Sequence, residues 1–183
     1  MSKKLVVLDL DGVLFTRNIN NNINNNINYD FKIKNTYYIL NDGASDFINY
    51  CLDNYEVGIF TSITPSNTKI IISKIFTYGR KNKLKFIYDR SHTKLDPDYE
   101  KLDNIKKFDT VKYLTDVINN PIINTNRTYN LDNTIIIDDT YMKVRFNPVN
   151  SICIYNNNNN NNDTIDIKTF SSYNDIINHL STI

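Results

Sequence analysis

The stretch Leu5-Val6-Val7-Leu8-Asp9-Leu10-Asp11-Gly12-Val13-Leu14-Phe15 carries a short apolar run into two aspartates one residue apart, then a glycine and further apolar residues. The run is too short for a useful helix, and its two valines suit a buried strand closed by a turn. Asp9 and Asp11 then stand just past the strand's carboxyl end, which is where open α/β sheets bind ligands. Two carboxylates this close repel each other, so a cation, a shared proton or water has to offset the charge. An EF-hand is excluded, because the glycine comes early and no bidentate Glu follows at the twelfth position.

Further along, the pattern alternates. Tyr37 to Leu40 predicts a strand. Ala44, Phe47, Ile48, Cys51 and Leu52 give an amphipathic helix over Gly43–Asn54. Glu56 to Phe60 is a short buried strand running into Thr61-Ser62, and Pro65 suits the first turn of a helix to Phe76. A charged, irregular segment follows from about Gly79 to Ile105, around the strand-like Leu84 to Tyr88. Phe108, Val111, Leu114 and Ile118 give the next helical stripe, which opens near Lys106-Lys107. Thr134 to Ile137 is the clearest strand and ends in Asp138-Asp139. The strand Ile152 to Tyr155 and a helix over Tyr173–Leu180 complete the series. Strands alternating with helices imply a parallel sheet covered on both faces. Two asparagine-rich tracts, 18–28 and 156–162, read as low-complexity loop insertions, and lengthening a surface loop costs little entropy.

The totals narrow the class. A chain of 183 residues holds one domain with one core, spanning 1–183. The net charge of +1 suggests no broad nucleic-acid surface. Cys51 and Cys153 read as reduced core residues, and with His92 and His179 they lack the paired spacing of a zinc site. Asp9 interrupts the first apolar run too early for a signal peptide, and no apolar run approaches the length of a membrane span. The expectation is a soluble nuclear or cytoplasmic monomer.

The ordered strand ends, Asp9/Asp11, then Thr61/Ser62, then Asp138/Asp139, resemble the haloacid-dehalogenase-like (HAD) superfamily of phosphatases. Val57 to Ser62, Phe86 to Thr93 and Ile136 to Pro148 narrow the resemblance to the RNA polymerase II C-terminal-domain phosphatases and their short nuclear-LIM-interactor-like relatives. The resemblance implies a Rossmann-like HAD fold without a large cap domain, with a small inserted segment at about 79–105. It implies a Mg²⁺-dependent phosphomonoesterase, most simply a protein serine/threonine phosphatase whose partner is a phosphorylated protein. A small-molecule phosphatase and a catalytically silent phosphoprotein-binding scaffold are the alternatives.

Within that resemblance Asp9 is the nucleophile and forms an aspartyl-phosphate, which splits one hard step into two easier ones. Asp11 is the general acid and base, and its backbone carbonyl joins Asp9, Asp138 and Asp139 around the metal. Of the Asp138/Asp139 pair, Asp139 is preferred as the direct ligand, with Asp138 alongside. Thr61 donates a hydroxyl to the phosphoryl group. Lys106 aligns with the family's Lys-Asp-Leu string and supplies fixed positive charge, with Lys107 as the alternative. Lys143 braces the acidic loop, while Asp89, Arg90 and His92 shape substrate access. Asn41-Asp42-Gly43 replaces the Arg-Pro-Gly string of many relatives and is expected to affect packing only.

Overall fold

The computed structural model describes residues 4–18, 28–102, 109–154 and 167–182. The chain opens with β1 (Leu5–Leu8), β2 (Phe15–Asn18), β3 (Phe31–Ile33) and β4 (Thr36–Leu40), then α1 (Ala44–Asn54), β5 (Glu56–Phe60) and α2 (Pro65–Ile75). There follow β6 (Leu84–Tyr88), β7 (Lys94–Leu95), β8 (Thr110–Val111) and α3 (Leu114–Ile118). The last elements are β9 (Thr134–Asp138), α4 (Tyr141–Val144), β10 (Ser151–Ile154), β11 (Lys168–Phe170) and α5 (Tyr173–Thr182).

A six-stranded sheet in the order β11-β10-β9-β1-β5-β6 forms the centre, and each pairing in it is parallel. The chain moves from β1 out to β5 and β6, then returns to the other side of β1 for β9, β10 and β11. That reversal opens a crevice at the carboxyl end of β1. Side chains alternate across β1: Val6 and Leu8 join the core under α1, α2 and α5, whereas Leu5 and Val7 join the one that contains Leu114, Val117 and Val144. All four residues of β1 are buried, as a strand covered on both faces requires.

Two further sheets sit near the carboxyl end of β1. β2, β4 and β3 form an antiparallel sheet, in which Phe15, Phe31 and Tyr38 pack ring to ring. The predicted strand at Tyr37–Leu40 therefore exists but belongs to this sheet and not to the parallel one. β7 and β8 form a short antiparallel pair. The predicted helical stripe starting at Phe108 is corrected here: Thr110–Val111 is extended and paired with Lys94–Leu95, and the helix begins only at Leu114. Phe108 itself lies outside the described residues, as do 19–27 and 155–166 within and beside the asparagine tracts. Leu84–Tyr88, read as part of the inserted segment, is the edge strand of the main sheet. Among the described residues no helix is long and apolar enough to cross a membrane.

Gly58, in the middle of β5, is needed for space: a Cβ there would lie 2.1 Å from the Phe86 ring on neighbouring β6. Phe86 is itself buried, so it cannot swing away freely. Gly58→Ala is expected to destabilise the fold by about 1–3 kcal/mol through overpacking, read as a fall of several degrees in a thermal melt. An unchanged melting temperature would mean that Phe86 is not seated on Gly58.

Candidate active site

Register brings the acidic groups together. Leu8 lies level with Ile137 of β9 and with Ile59 of β5, and the Asp9 N–H donates to the Ile137 carbonyl at 2.9 Å. One step further along, Asp9 stands beside Asp138, with Asp139 just beyond. Carboxylate oxygens of Asp9, Asp138 and Asp139 all lie within 4.8 Å of one another, and Asp9 and Asp138 are buried. Gly12 makes room for this approach: its φ is +81°, and a Cβ there would meet Asp139 Oδ2 at 2.1 Å. The Asn41 side chain pins the same turn by donating to the carbonyls of Gly12 and Val13, each at 3.0 Å. Tyr173 Oη donates to the Val13 carbonyl as well. Asn41 thus acts on the loop that carries Asp11, in keeping with the packing role expected of Asn41-Asp42-Gly43.

The cation at the centre is Lys112. It is fully buried, with Nζ 2.9 Å from Asp9 Oδ1 and 2.5 Å from Asp138 Oδ2. The bond to Asp138 is well directed, whereas Asp9 Oδ1 faces the ammonium without a well-directed hydrogen bond. Burial pulls the Lys112 pKa down, but the charges of Asp138 and Asp9 outweigh it and hold the ammonium protonated. The loop after β9 grips its backbone. The Lys112 N–H donates to the Lys143 carbonyl at 2.8 Å. Asn147 Nδ2 donates to the Lys112 carbonyl at 2.8 Å, and the Leu114 N–H donates to Asn147 Oδ1 at 2.9 Å. Lys106 and Lys107 lie outside the described residues. Lys112 escaped the sequence reading, although Lys112-Tyr113-Leu114 keeps the spacing of lysine and leucine in the family string. The available signal was a lysine directly between Val111 and the apolar face of α3.

The three carboxylates and one ammonium leave a net charge of −2 when all are ionised, which a divalent cation would balance. Burial, and then the charges of Asp138 and Asp9, push Asp139 up to about 7. Burial likewise raises Asp138 against the pull of Lys112. An all-oxygen donor set under this strain fits Mg²⁺. The Asp11 side chain lies outside the three-carboxylate group. It pairs instead with Arg17 of β2, so a part in the metal set would fall to its main-chain carbonyl. Burial raises its pKa, and Arg17 opposes the shift.

Of these groups Asp9 and Asp11 border a cavity of about 310 Å³, lined also by Arg17, Thr61 to Thr64, Asn67, Arg90 and Lys143. Thr61 is fully buried past the end of β5, and its N–H donates to the Tyr88 carbonyl at 2.9 Å. Arg90 reaches the cavity and pairs with Asp109. Asp89 caps the turn at Arg90–His92, and the His92 ring stacks on Tyr88 at 4.2 Å. Neither Asp89 nor His92 lines the cavity.

Comparison with known proteins identifies the family. The sequence pattern of the NLI interacting factor-like phosphatases matches residues 4–181. An uncharacterized FCP1 homology domain-containing protein of Schizosaccharomyces pombe is 29% identical over 157 residues, covering 84% of this chain and 61% of the relative. Fission yeast Fcp1, an RNA polymerase II CTD phosphatase, superposes with a TM-score of 0.54 at 14% identity, covering 99% of this chain and 50% of that one. A HAD-superfamily hydrolase from Ehrlichia chaffeensis gives 0.54 at 15% identity, covering 100% and 98%. The chain thus spans only part of the first two. With the family pattern running almost from end to end, the chain belongs to the NLI interacting factor-like phosphatase family.

Proposed function

We propose that this chain is a Mg²⁺-dependent phosphomonoesterase that works through an aspartyl-phosphate on Asp9, and that its substrate is a phosphorylated serine or threonine of a protein. The observation that carries the proposal is the buried Lys112 ammonium bridging Asp9 and Asp138, behind a cavity that Asp9, Asp11 and Thr61 line. Asp9 attacks phosphorus while the departing oxygen takes a proton from Asp11, whose burial favours the protonated form. Asp11 then accepts a proton from the water that attacks the aspartyl-phosphate, releasing phosphate and restoring Asp9. The Thr61 hydroxyl donates to a phosphoryl oxygen, and Lys112 holds positive charge where negative charge spreads in the transition state. Mg²⁺ held by Asp9, Asp139 and the Asp11 carbonyl, with Asp138 alongside, would neutralise the approach of one anion to another.

The protein substrate is favoured by an open approach: among the described residues the two small antiparallel sheets contribute only Arg17 to the cavity lining. It is favoured too by the likeness to Fcp1. The test compares singly phosphorylated Ser-Pro peptides with a panel of phosphorylated metabolites, with and without Mg²⁺. Mg²⁺-dependent release of phosphate, with higher kcat/KM on the peptides, is expected. Higher kcat/KM on a metabolite would transfer the chain to the small-molecule phosphatases.

A further inference from the structure

From residue 57 to residue 88 the chain has six lysines and arginines and not one aspartate or glutamate, although the whole chain carries a net charge of only +1. Two of the six are neutralised from the preceding segment: Lys83 pairs with Asp53 at 3.0 Å and Lys85 with Glu56 at 2.7 Å. The other four, Lys69, Lys74, Arg80 and Lys81, form no ion pair among the described residues. Lys69 and Lys74 lie on the exposed side of α2, Lys81 is exposed and Arg80 half-buried in the turn that follows.

Lys74 lies on the face of α2 that begins at the cavity. Thr64 and Asn67, at the start of α2, line that cavity. Lys74 lies seven residues beyond Asn67, about 10 Å along the helix axis. An extended peptide covers about 3.3 Å per residue, so a segment leaving the cavity along α2 brings its third residue level with Lys74. Residues further out meet the turn at Arg80 and Lys81. Nucleic acid is a poorer fit, because base stacking needs exposed rings and Tyr78 is the one exposed aromatic among the described residues of this stretch.

We infer that the flank formed by Lys69, Lys74, Arg80 and Lys81 docks an acidic segment of the phosphoprotein substrate, three to six residues from the phosphorylated side chain. The inference rests on the protein-phosphatase reading above and adds to it a preference for acidic sequence context. Like other rim charges, these act chiefly on capture of the substrate and are screened by salt.

Three phosphoserine peptides test it, one with neutral flanks, one with four glutamates on the N-terminal side and one with four on the C-terminal side. They are assayed with the wild type and with the combined variant Lys69→Glu, Lys74→Glu, Arg80→Glu, Lys81→Glu. p-Nitrophenyl phosphate serves as a substrate too small to reach the flank, and it reports that the variant is folded. One acidic peptide should show a KM about tenfold below the neutral one in the wild type, with kcat unchanged. The advantage should vanish in the variant and at 0.5 M NaCl, while hydrolysis of p-nitrophenyl phosphate stays within twofold. A milder variant, Lys74→Gln with Lys81→Gln, should lose part of it. Equal KM for all three peptides, or an acidic preference that survives charge reversal, overturns the docking surface and leaves the phosphatase reading intact. Displacement of the acidic peptide by an RNA oligomer of equal charge at lower concentration overturns it in favour of nucleic acid. A wild type that cleaves p-nitrophenyl phosphate but no phosphopeptide removes both the protein substrate and the docking surface.

Discussion

Asp9→Asn should leave a folded protein with no measurable turnover. The amide has nearly the shape of the carboxylate, so the packing at the end of β1 is kept. Lys112 retains Asp138 as a counterion at 2.5 Å. What disappears is the anionic oxygen that attacks phosphorus in the proposed mechanism, and no neighbour can replace it. Asp138 is fully buried with one oxygen on Lys112 and the other accepting the Thr140 N–H at 2.9 Å, and the Asp11 side chain lies outside the cluster. Loss of a residue that forms the covalent bond costs roughly 10⁴-fold or more in kcat. The measurement is hydrolysis of p-nitrophenyl phosphate with saturating Mg²⁺, alongside a mass spectrum of the rapidly quenched enzyme. A phosphoryl adduct should be present in the wild type and absent in the variant. Activity within tenfold of wild type would remove Asp9 as the nucleophile.

How much of this was legible in the sequence follows from how local each feature is. The strand ahead of Asp9 and the one ahead of Asp138 are apolar runs whose burial is written in the residues themselves, and parallel pairing then aligns their ends without further information. α1 was legible because Phe47, Ile48 and Cys51 repeat at helical spacing, and α2 because Pro65 suits a first helical turn, where the structure places it. Elements set by distant partners were not. Thr110 and Val111 are extended because Lys94 and Leu95 lie across from them, and nothing within a few residues of Val111 says so. The apolar spacing from Val111 to Leu114 and Ile118 reads equally well as one helix, so it drew the expected start of α3 too far back. Phe15 and Phe31 join β4 through an aromatic cluster whose members are far apart in the chain. Lys112 is the sharpest case. Lysine is ordinarily a solvated residue, and only Asp9 and Asp138, neither of them near it in sequence, account for its burial.

The same dependence makes Lys112 the position where substitution should cost the most stability. Lys112→Met fills much of the same volume with an apolar chain but leaves Asp9 and Asp138 without the ammonium that offsets their charge. Breaking a buried ion pair on one side costs about 3–5 kcal/mol, which for a domain of this size lowers the melting temperature by roughly 6–20 °C. The loss should depend on pH, with a definite sign. Burial already raises the Asp138 pKa against the pull of Lys112, and Asp139 stands at about 7. Carboxyls raised in the folded state favour folding where they are protonated, and that contribution disappears as pH climbs from the unfolded value near 4 through the folded one. Removing the ammonium raises Asp138 further. The variant should therefore melt closer to wild type at pH 5 than at pH 7.5, and Mg²⁺ should recover part of the difference at pH 7.5 by restoring positive charge beside the carboxylates. Lys112→Arg should not rescue it, because a planar guanidinium cannot occupy a fully closed site shaped for a point charge. Thermal melts of both variants at the two pH values, with and without Mg²⁺, measure all of this. A Lys112→Met protein that melts within about 1 °C of wild type at pH 7.5 would show that the acidic cluster is neutralised by something other than this lysine.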